Sequence, residues 1–414
     1  MKMTRFARRW FNYLVCLALV LSFILSPLSS PFVSAKPNVN TAIKQEIRGV
    51  WLTNVGSGVL FTPWGINRAL NQLSALKFNT VYPVAWNRGY TFYSSNIAER
   101  EIGLDSQPFL KFMRLGGDVL ATITQLSTQK KLRVIPWFEY GFMLPPNSTL
   151  AKYHPDWLTV GRSGDKLIEE IPLDLGRKNS KQQFFTQPHV KKEIWLNPLH
   201  PKVQEFIKAL IVEVITNYDV DGIQLDDHFG VPVKFGYDSF TIQLYQQEHK
   251  GKKPPSDPFN SEWMRWRADK ITHFMQEIVQ AVKAVKPNAK ISLSPNSQAF
   301  AYKYYLQDWE TWVNRGLVDE LVLQVYRNDI NSFQAELKQP ALQNARQKIP
   351  VAVGIFTGTW RTPIDIKQIK EQVESVHERN FDGVSFFYWE SLWGYITPES
   401  PQQRRKAFLE MFSA

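Results

Sequence analysis

Eight short apolar runs recur along the chain, separated by longer stretches in which apolar residues return every three or four positions. Short runs bounded by turn residues suit buried strands, and the longer periodic stretches suit amphipathic helices. The runs are IRGVWLT (47–53), NTVYPVAW (79–86), LRVIPWF (132–138), VDGIQLD (220–226), KISLSP (290–295), DELVLQVY (319–326), PVAVGIF (350–356) and DGVSFFY (382–388). Helical patterns between and after them include INRALNQLSALK, GDVLATITQLSTQKK, HPKVQEFIKALIVEVITNY, the long SEWMRWRADKITHFMQEIVQAVKAVK, SFQAELKQPALQNARQ and DIKQIKEQVESVHER. Strand leading to helix eight times over predicts an α/β fold, a single (β/α)8 TIM-type barrel. About eighty residues separate the third and fourth runs, and the part from His154 to Phe185 carries Gly, Pro and charge without a long helical period. Such an elaborated loop after strand 3 is expected to lie over the barrel mouth and shape a cleft.

Side chains alternate faces along a strand, so Gln224, Asp226 and His228 share a polar side of the fourth run while Ile223 and Leu225 share the apolar one. The polar set is expected to face the barrel axis, with Asp227 joining it only if the strand has ended and the chain has turned. The same parity groups Ser292, Ser294 and Asn296 on the fifth run, Gln324 and Tyr326 on the sixth, Trp137 and Glu139 on the third, and Ser385, Phe387 and Trp389 on the eighth. Glu390 then falls on the other face unless it lies in a loop. Reactive groups of such a barrel come from the carboxyl ends of several strands, where these residues stand.

Two carboxyls in one cleft with aromatic walls are the equipment of glycoside hydrolysis: one carboxylate stabilises or attacks the oxocarbenium-like carbon, and one protonated acid serves the leaving oxygen. Asp226 is the expected charged partner, kept ionised by amide donors at the strand end. Glu139, beside Trp137 and Phe138, is the expected acid, because an apolar wall raises a carboxyl pKa. Asp227 is the third catalytic candidate. The chain is 14% aromatic and has fourteen tryptophans. Flat rings suit the apolar faces of sugars while polar neighbours catch the hydroxyls. Substrate contacts are therefore expected from Trp86, Trp137, Gln224, His228, Asn296, Gln324, Tyr326, Trp389 and Glu390.

The first thirty-five residues change the picture of where this chemistry takes place. Lys2, Arg5, Arg8 and Arg9 precede an apolar stretch from about Tyr13 to Leu25, and Val33-Ser34-Ala35 offers a cleavage site before Lys36. This is the pattern of a secretory signal peptide (1–35), and the apolar stretch is shorter than the ~20 residues of a spanning helix, so no stable membrane insertion is expected after cleavage. Residues 36–414 then form one catalytic domain, secreted or in the periplasm or cell envelope. The chain's lone cysteine, Cys16, would leave with the signal, and the core alone would hold the fold. Removing four basic and no acidic residues lowers the net charge from +11 to +7. No basic stripe appears, which argues against a nucleic-acid partner and leaves a polysaccharide as the expected one. The oligomeric state is not legible.

Together, IRGVWLTNVGSGVLF, NTVYPVAWNRGYTFYSS, IWLNPLHPKVQEFI, DGIQLDDHF, WMRWRADKI and LQVYRND resemble the glycosyl-hydrolase-like 10 family of bacterial envelope proteins, over about Glu46 to Tyr395. The resemblance implies a barrel with glycosidase-type activity, some relatives being associated with cutting peptidoglycan glycan strands. Asp226-Asp227 stands where that family carries its LDD motif, and Gln324 and Tyr326 match its Q-x-Y. WFEYGF and FFYWESLW look like the versions of cyanobacterial members. DGIQLDDH is also similar to the DG-x-D-x-D-x-E strand of family 18 chitinases, but Gln224 replaces an aspartate and His228 replaces the proton-donating glutamate, which removes that chemistry's acid.

Two rival functions share these residues. A non-catalytic glycan-binding barrel would keep the aromatic walls without needing Asp226 charged. A metal-dependent polysaccharide deacetylase could use Asp-Asp-His, but none of the seven histidines pair three or four apart, so neither a metal nor another cofactor is expected. Ser-His-Asp chemistry and phosphate cradles lack their signatures, as no Gly-x-Ser-x-Gly or Gly-x-Gly-x-x-Gly occurs.

Overall fold

Each apolar run forms a strand: Ile47–Leu52, Thr80–Asn87, Arg133–Val134 continued by Trp137–Phe138, Gly222–Asp226, Lys290–Ser294, Glu320–Gln324, Val351–Phe356 and Gly383–Phe387. Successive strands pair in parallel, and the first pairs with both the second and the eighth, which closes the barrel. The computed structural model describes residues 46–169, 192–359, 362–394 and 397–413. The signal-peptide reading and part of the elaborated loop fall outside these residues. The chain is a (β/α)8 TIM-type barrel, and among the described residues no helix is long and apolar enough to cross a membrane.

Proline accounts for two departures from the expected elements. The third strand is interrupted over Ile135 and Pro136, and the residues expected to form one helix from Ser332 to Gln347 form two, Ile330–Leu337 and Pro340–Arg346. Pro has no N–H to give to a ladder or a helix interior but suits a first turn, so Pro340 starts the second helix. The loops after the second, fourth and fifth strands carry short helices that the periodicity does not reveal, among them Asn96–Ile102, Pro108–Met113, Ser239–Glu248 and Gln298–Tyr305.

The elaborated third loop builds a small antiparallel sheet from Met143–Leu144, Ile168–Glu169 and Lys192–Trp195. It lies against the loop that follows the fourth strand: Phe142 N–H donates to His228 O (3.3 Å), and Trp195 Nε1 donates to Gly230 O (2.8 Å). Gly141 permits that approach. Its φ is +48°, and a Cβ there would meet His228 O at 2.5 Å.

Opposite the mouth, the barrel base is latched by aspartates. Asp221, Asp319 and Asp382 each stand just before a strand and accept the backbone N–H of Val134, Ile291 and Val351 on the strand before it, at 2.7, 2.9 and 2.7 Å. Above this base a chain of polar groups ties six strands together. Trp51 Nε1 donates to Gln224 Oε1 (2.7 Å), Gln224 Nε2 to Ser292 Oγ (3.0 Å), and Ser292 Oγ to Glu320 Oε1 (3.1 Å). Tyr82 OH also reaches Glu320 Oε1 (3.0 Å), and Arg133 Nη2 holds Glu320 Oε2 (2.7 Å). Buried polar groups persist where all are satisfied, and removing one leaves the others unpaired. We therefore predict that Glu320→Ala, which strips an acceptor from Tyr82, Ser292 and Arg133 together, lowers stability by about 3 kcal/mol in urea unfolding.

Candidate active site

The fourth strand ends at Asp226, and a tight turn follows in which Phe229 N–H returns to Asp226 O (3.0 Å). The turn brings Asp227 and His228 back over the barrel, so both neighbouring carboxyls face the mouth. His228 Nδ1 lies 2.8 Å from Asp227 Oδ1 and 3.6 Å from Asp226 Oδ2. The fifth and sixth strands supply the other partners. Asn296 Nδ2 donates to Asp227 Oδ2 (2.6 Å), and Gln324 Nε2 donates to Asp226 Oδ1 (2.8 Å) and to Ser294 O (3.0 Å). Gln307, which sequence parity does not single out because it lies beyond a loop helix, fixes the turn by donating to Asp226 O (2.8 Å).

The third strand brings in the other acid. Trp137 pairs with Gln224 and Phe138 with Leu225, so one step further along the same register Glu139 comes level with Asp226. Glu139 is 5% exposed, and it accepts Thr53 Oγ1 at 3.2 and 3.0 Å and Asn87 Nδ2 at 2.6 Å. Burial pushes its carboxyl up to about 7, against the pull of those two donors and of the charges on Arg88 and His228. Tyr326, buried against Phe387 and Phe356, stands where it feels Asp226, Asp227 and Glu139 together: burial first, then these charges, raises its phenol well above the usual range. His228 is stacked on Tyr140 (centroids 5.4 Å apart), whose hydroxyl accepts Arg88 Nη2 at 3.1 Å.

The two aspartates are not equivalent. Burial and the charge of Asp227 raise the Asp226 carboxyl well above its ordinary value. Burial acts in the same sense on Asp227, but the charge and hydrogen bond of His228, with help from Asp226 and Asn296, hold it below. Their surroundings thus drive the two carboxyls apart, Asp226 upward and Asp227 downward. The donors expected to favour the ionised form of Asp226 are opposed by burial beside a second carboxylate, which raises its carboxyl.

Other expected contacts also move. The pairing of Val84 with Trp137 and Trp86 with Phe138 leaves one extra residue in the second strand, a β-bulge that reverses its parity. Tyr82 points inward, but Trp86 packs outward on Phe206 (5.6 Å) and donates to Gly141 O, so it is core rather than a sugar platform. The same bulge turns Asn87 to the site. Gln224 belongs to the internal polar chain and is fully buried, with both amide ends used. Trp137 lies inside the barrel against Trp51 and Phe387. Trp389 is buried against Trp393 in a short helix after the eighth strand. Glu390, on that helix, gathers the first loop by accepting Ser57 Oγ (2.5 Å), Gly58 N–H (3.0 Å) and Val59 N–H (3.2 Å), and burial raises it to about 7.

Around the carboxyls, Asn87 Oδ1, Trp137 Nε1 and Asn296 Oδ1 are buried without a hydrogen-bond partner among the described residues. Such atoms are rare in native interiors. Asp226, Asp227 and His228 could also offer a metal three ligand atoms within 4.8 Å of one another. The surrounding donor set fits hydrogen bonding better, since Asn296 and Gln324 aim amide hydrogens at these carboxylates and His228 Nδ1 is paired with Asp227.

Known proteins share this framework. Similar chains include the glycosyl hydrolase YngK of Bacillus subtilis, 24% identical over 75% of this chain, and the glycosyl hydrolase DigH of Escherichia coli K12, 23% identical over 76% of this chain and 74% of its own. The match spans 60% of the length of YngK. Among solved structures, the glycoside hydrolase domain of PgaB (BpsB) from Bordetella bronchiseptica superposes with a TM-score of 0.59 at 13% identity, covering 88% of this chain and 98% of that domain. The α-L-fucosidase isoenzyme 2 of Paenibacillus thiaminolyticus gives 0.58 at 14% identity, covering 89% and 49%. These likenesses concern the fold. Residues 46–376 match the glycosyl hydrolase-like 10 family, and the chain belongs to that family.

Proposed function

We propose that the protein is a glycoside hydrolase acting on a polysaccharide of the bacterial envelope, with peptidoglycan glycan strands as the leading substrate and export through the signal sequence of residues 1–35. The observation that carries this reading is that Glu139, its carboxyl raised to about 7 by burial, comes level in the barrel with two aspartates whose carboxyls are shifted in opposite directions. Groups whose surroundings drive their pKa values apart divide into acid and base. Glu139 gives its proton to the leaving glycosidic oxygen. The dyad faces the positive charge that develops at the anomeric carbon, either as base to the attacking water or as nucleophile. Gln324 and Asn296 fix the two aspartates by donating to their carboxyl oxygens.

Asp226→Asn is expected to lower turnover by about 10²–10⁴-fold, with a thermal midpoint near that of wild type, because the amide keeps the shape of the side chain and removes a buried acid beside Asp227. Release of reducing ends from purified, acetyl-stripped and intact glycan strands measures this. Equal loss of midpoint and activity would make the residue structural, and binding without turnover in wild type would favour a glycan-binding barrel. Activity unchanged after chelation and dialysis is expected, and its loss would favour the deacetylase reading.

The Glu139 carboxyl also predicts two pH dependences. Activity that needs its proton should decline as pH rises through about 7, and Glu139→Gln should remove that limb together with most of the turnover. Stability has the same direction. From pH 4.5 to about 7 the folded protein keeps a proton on this group that the unfolded chain has lost, so the group's contribution is full below 4.5 and fades across that window. Glu139→Gln should therefore unfold at a higher temperature than wild type at pH 8, with the gain absent at pH 4. A pH-independent difference in midpoint would show that the carboxyl is not held neutral by burial.

A further inference from the structure

Among the described residues ten large apolar side chains are exposed, and five of them fall in two adjoining segments: Trp64 in one, and Phe109, Phe112, Met113 and Leu115 in the other. The segments follow the first and second strands on the mouth side of the barrel, and they meet where Phe61 packs on Phe109, ring centroids 5.3 Å apart. An apolar cluster of this kind marks an interaction face. Its exposure is built in and is not that of a frayed end. The helix Pro108–Met113 closes in a left-handed turn, with φ +51° at Leu115 and +82° at Gly116, and Gly116 N–H returns to Lys111 O (3.0 Å). Buried Arg114 braces the turn, donating to Gly117 O (3.0 Å), Asp118 O (3.3 Å) and Thr122 Oγ1 (2.6 Å), and to Leu60 O (3.5 Å) in the first segment. Leu115 is left 95% exposed at the tip, and Phe112, whose carbonyl accepts the Leu115 N–H, is 73% exposed.

Charge indicates what such a face meets. The chain has no acidic residue from Ile47 through Ala98, nor from Ser106 through Gly117, and these stretches include Arg68, Lys111 and Arg114. Arg68 is exposed beside Trp64, 5.8 Å from its ring, and has no carboxylate partner among the described residues. Of the nearby acids, Asp105 is paired with Lys111 (2.9 Å), Asp118 accepts Tyr218 OH (2.6 Å) and the backbone N–H of Ser94 and Ala121, and Glu99 stands at the margin. A protruding apolar tip offers a protein partner little area to bury. It suits a bilayer, where apolar side chains enter the headgroup boundary, tryptophan sits at the interface and cations meet anionic lipid.

We propose that the face formed by Phe61, Trp64, Arg68, Phe109, Phe112 and Leu115 docks on the surface of an anionic lipid bilayer, as a peripheral contact without a spanning segment. It lies outside the carboxyl site and does not rest on the hydrolytic reading. Because both segments follow the carboxyl ends of their strands, docking holds the mouth side of the barrel toward the lipid.

The test is co-sedimentation of the chain from Lys36 to Ala414, which holds every strand of the barrel and lacks the apolar leader, with lipid vesicles. Vesicles of phosphatidylcholine and phosphatidylglycerol in equal parts are expected to bind it about tenfold more tightly than phosphatidylcholine alone. Phe112→Ser and Leu115→Ser, at exposed positions, are each expected to weaken binding about tenfold while keeping the wild-type unfolding midpoint. Arg68→Gln is expected to weaken binding to the mixed vesicles about fivefold and to leave binding to phosphatidylcholine unchanged. A wild-type chain that stays in the supernatant with both vesicles, equal binding to both, or Ser variants that bind as wild type would overturn the proposal. So would a dimer in sedimentation velocity that Phe112→Ser and Leu115→Ser abolish without any vesicle binding by wild type, which would assign the face to a second copy of the chain.

Discussion

Placing two adjacent carboxyls in a buried turn at a strand end is the constraint around which the mouth of this barrel is arranged. Two charges so close together and largely shielded from water repel, which drives the two carboxyls apart, and the neighbouring strands provide for the asymmetry. The fifth strand sends Asn296 to Asp227, the sixth sends Gln324 to Asp226, and the elaborated third loop stacks Tyr140 on His228, which holds Asp227 charged. The second acid reaches the same level from the third strand and is kept near neutrality by burial alone, against its two hydrogen-bond donors. A site built this way trades stability for reactivity, because each partly neutral buried carboxyl costs the fold at the pH where it loses its proton.

Much of the barrel was legible because buried parallel strands read as short apolar runs, and their alternation carried the inward sets on the third to sixth strands. Trp137 with Glu139, Gln224 with Asp226, and Gln324 with Tyr326 all face inward as parity requires. Parity failed at the second strand, where one extra residue exchanges Trp86 for Asn87, and an extra residue has no periodic signature of its own. It also could not separate depth. Gln224 lies on the correct face one layer below the acids, where it serves the internal chain instead of the cleft.

Charge was less legible than position. The adjacency of Asp226 and Asp227 is plain in the sequence, but which of them stays ionised depends on partners as distant as Asn296 and Gln324 and on how completely the turn is covered. Gln307, Thr53 and Asn87 were missed for the same reason. Each is an ordinary polar residue whose importance comes only from the backbone or carboxyl it meets in the folded chain.

The cross-tied interior beneath the acids has a further consequence. With Trp51, Gln224, Ser292, Tyr82, Glu320 and Arg133 bonded across the axis, the barrel is plugged from below. Nothing threads through it. Under the proposed function, a polymer would be laid across the open end like a rope over a capstan head, and both cut pieces would lift off on the side from which it came.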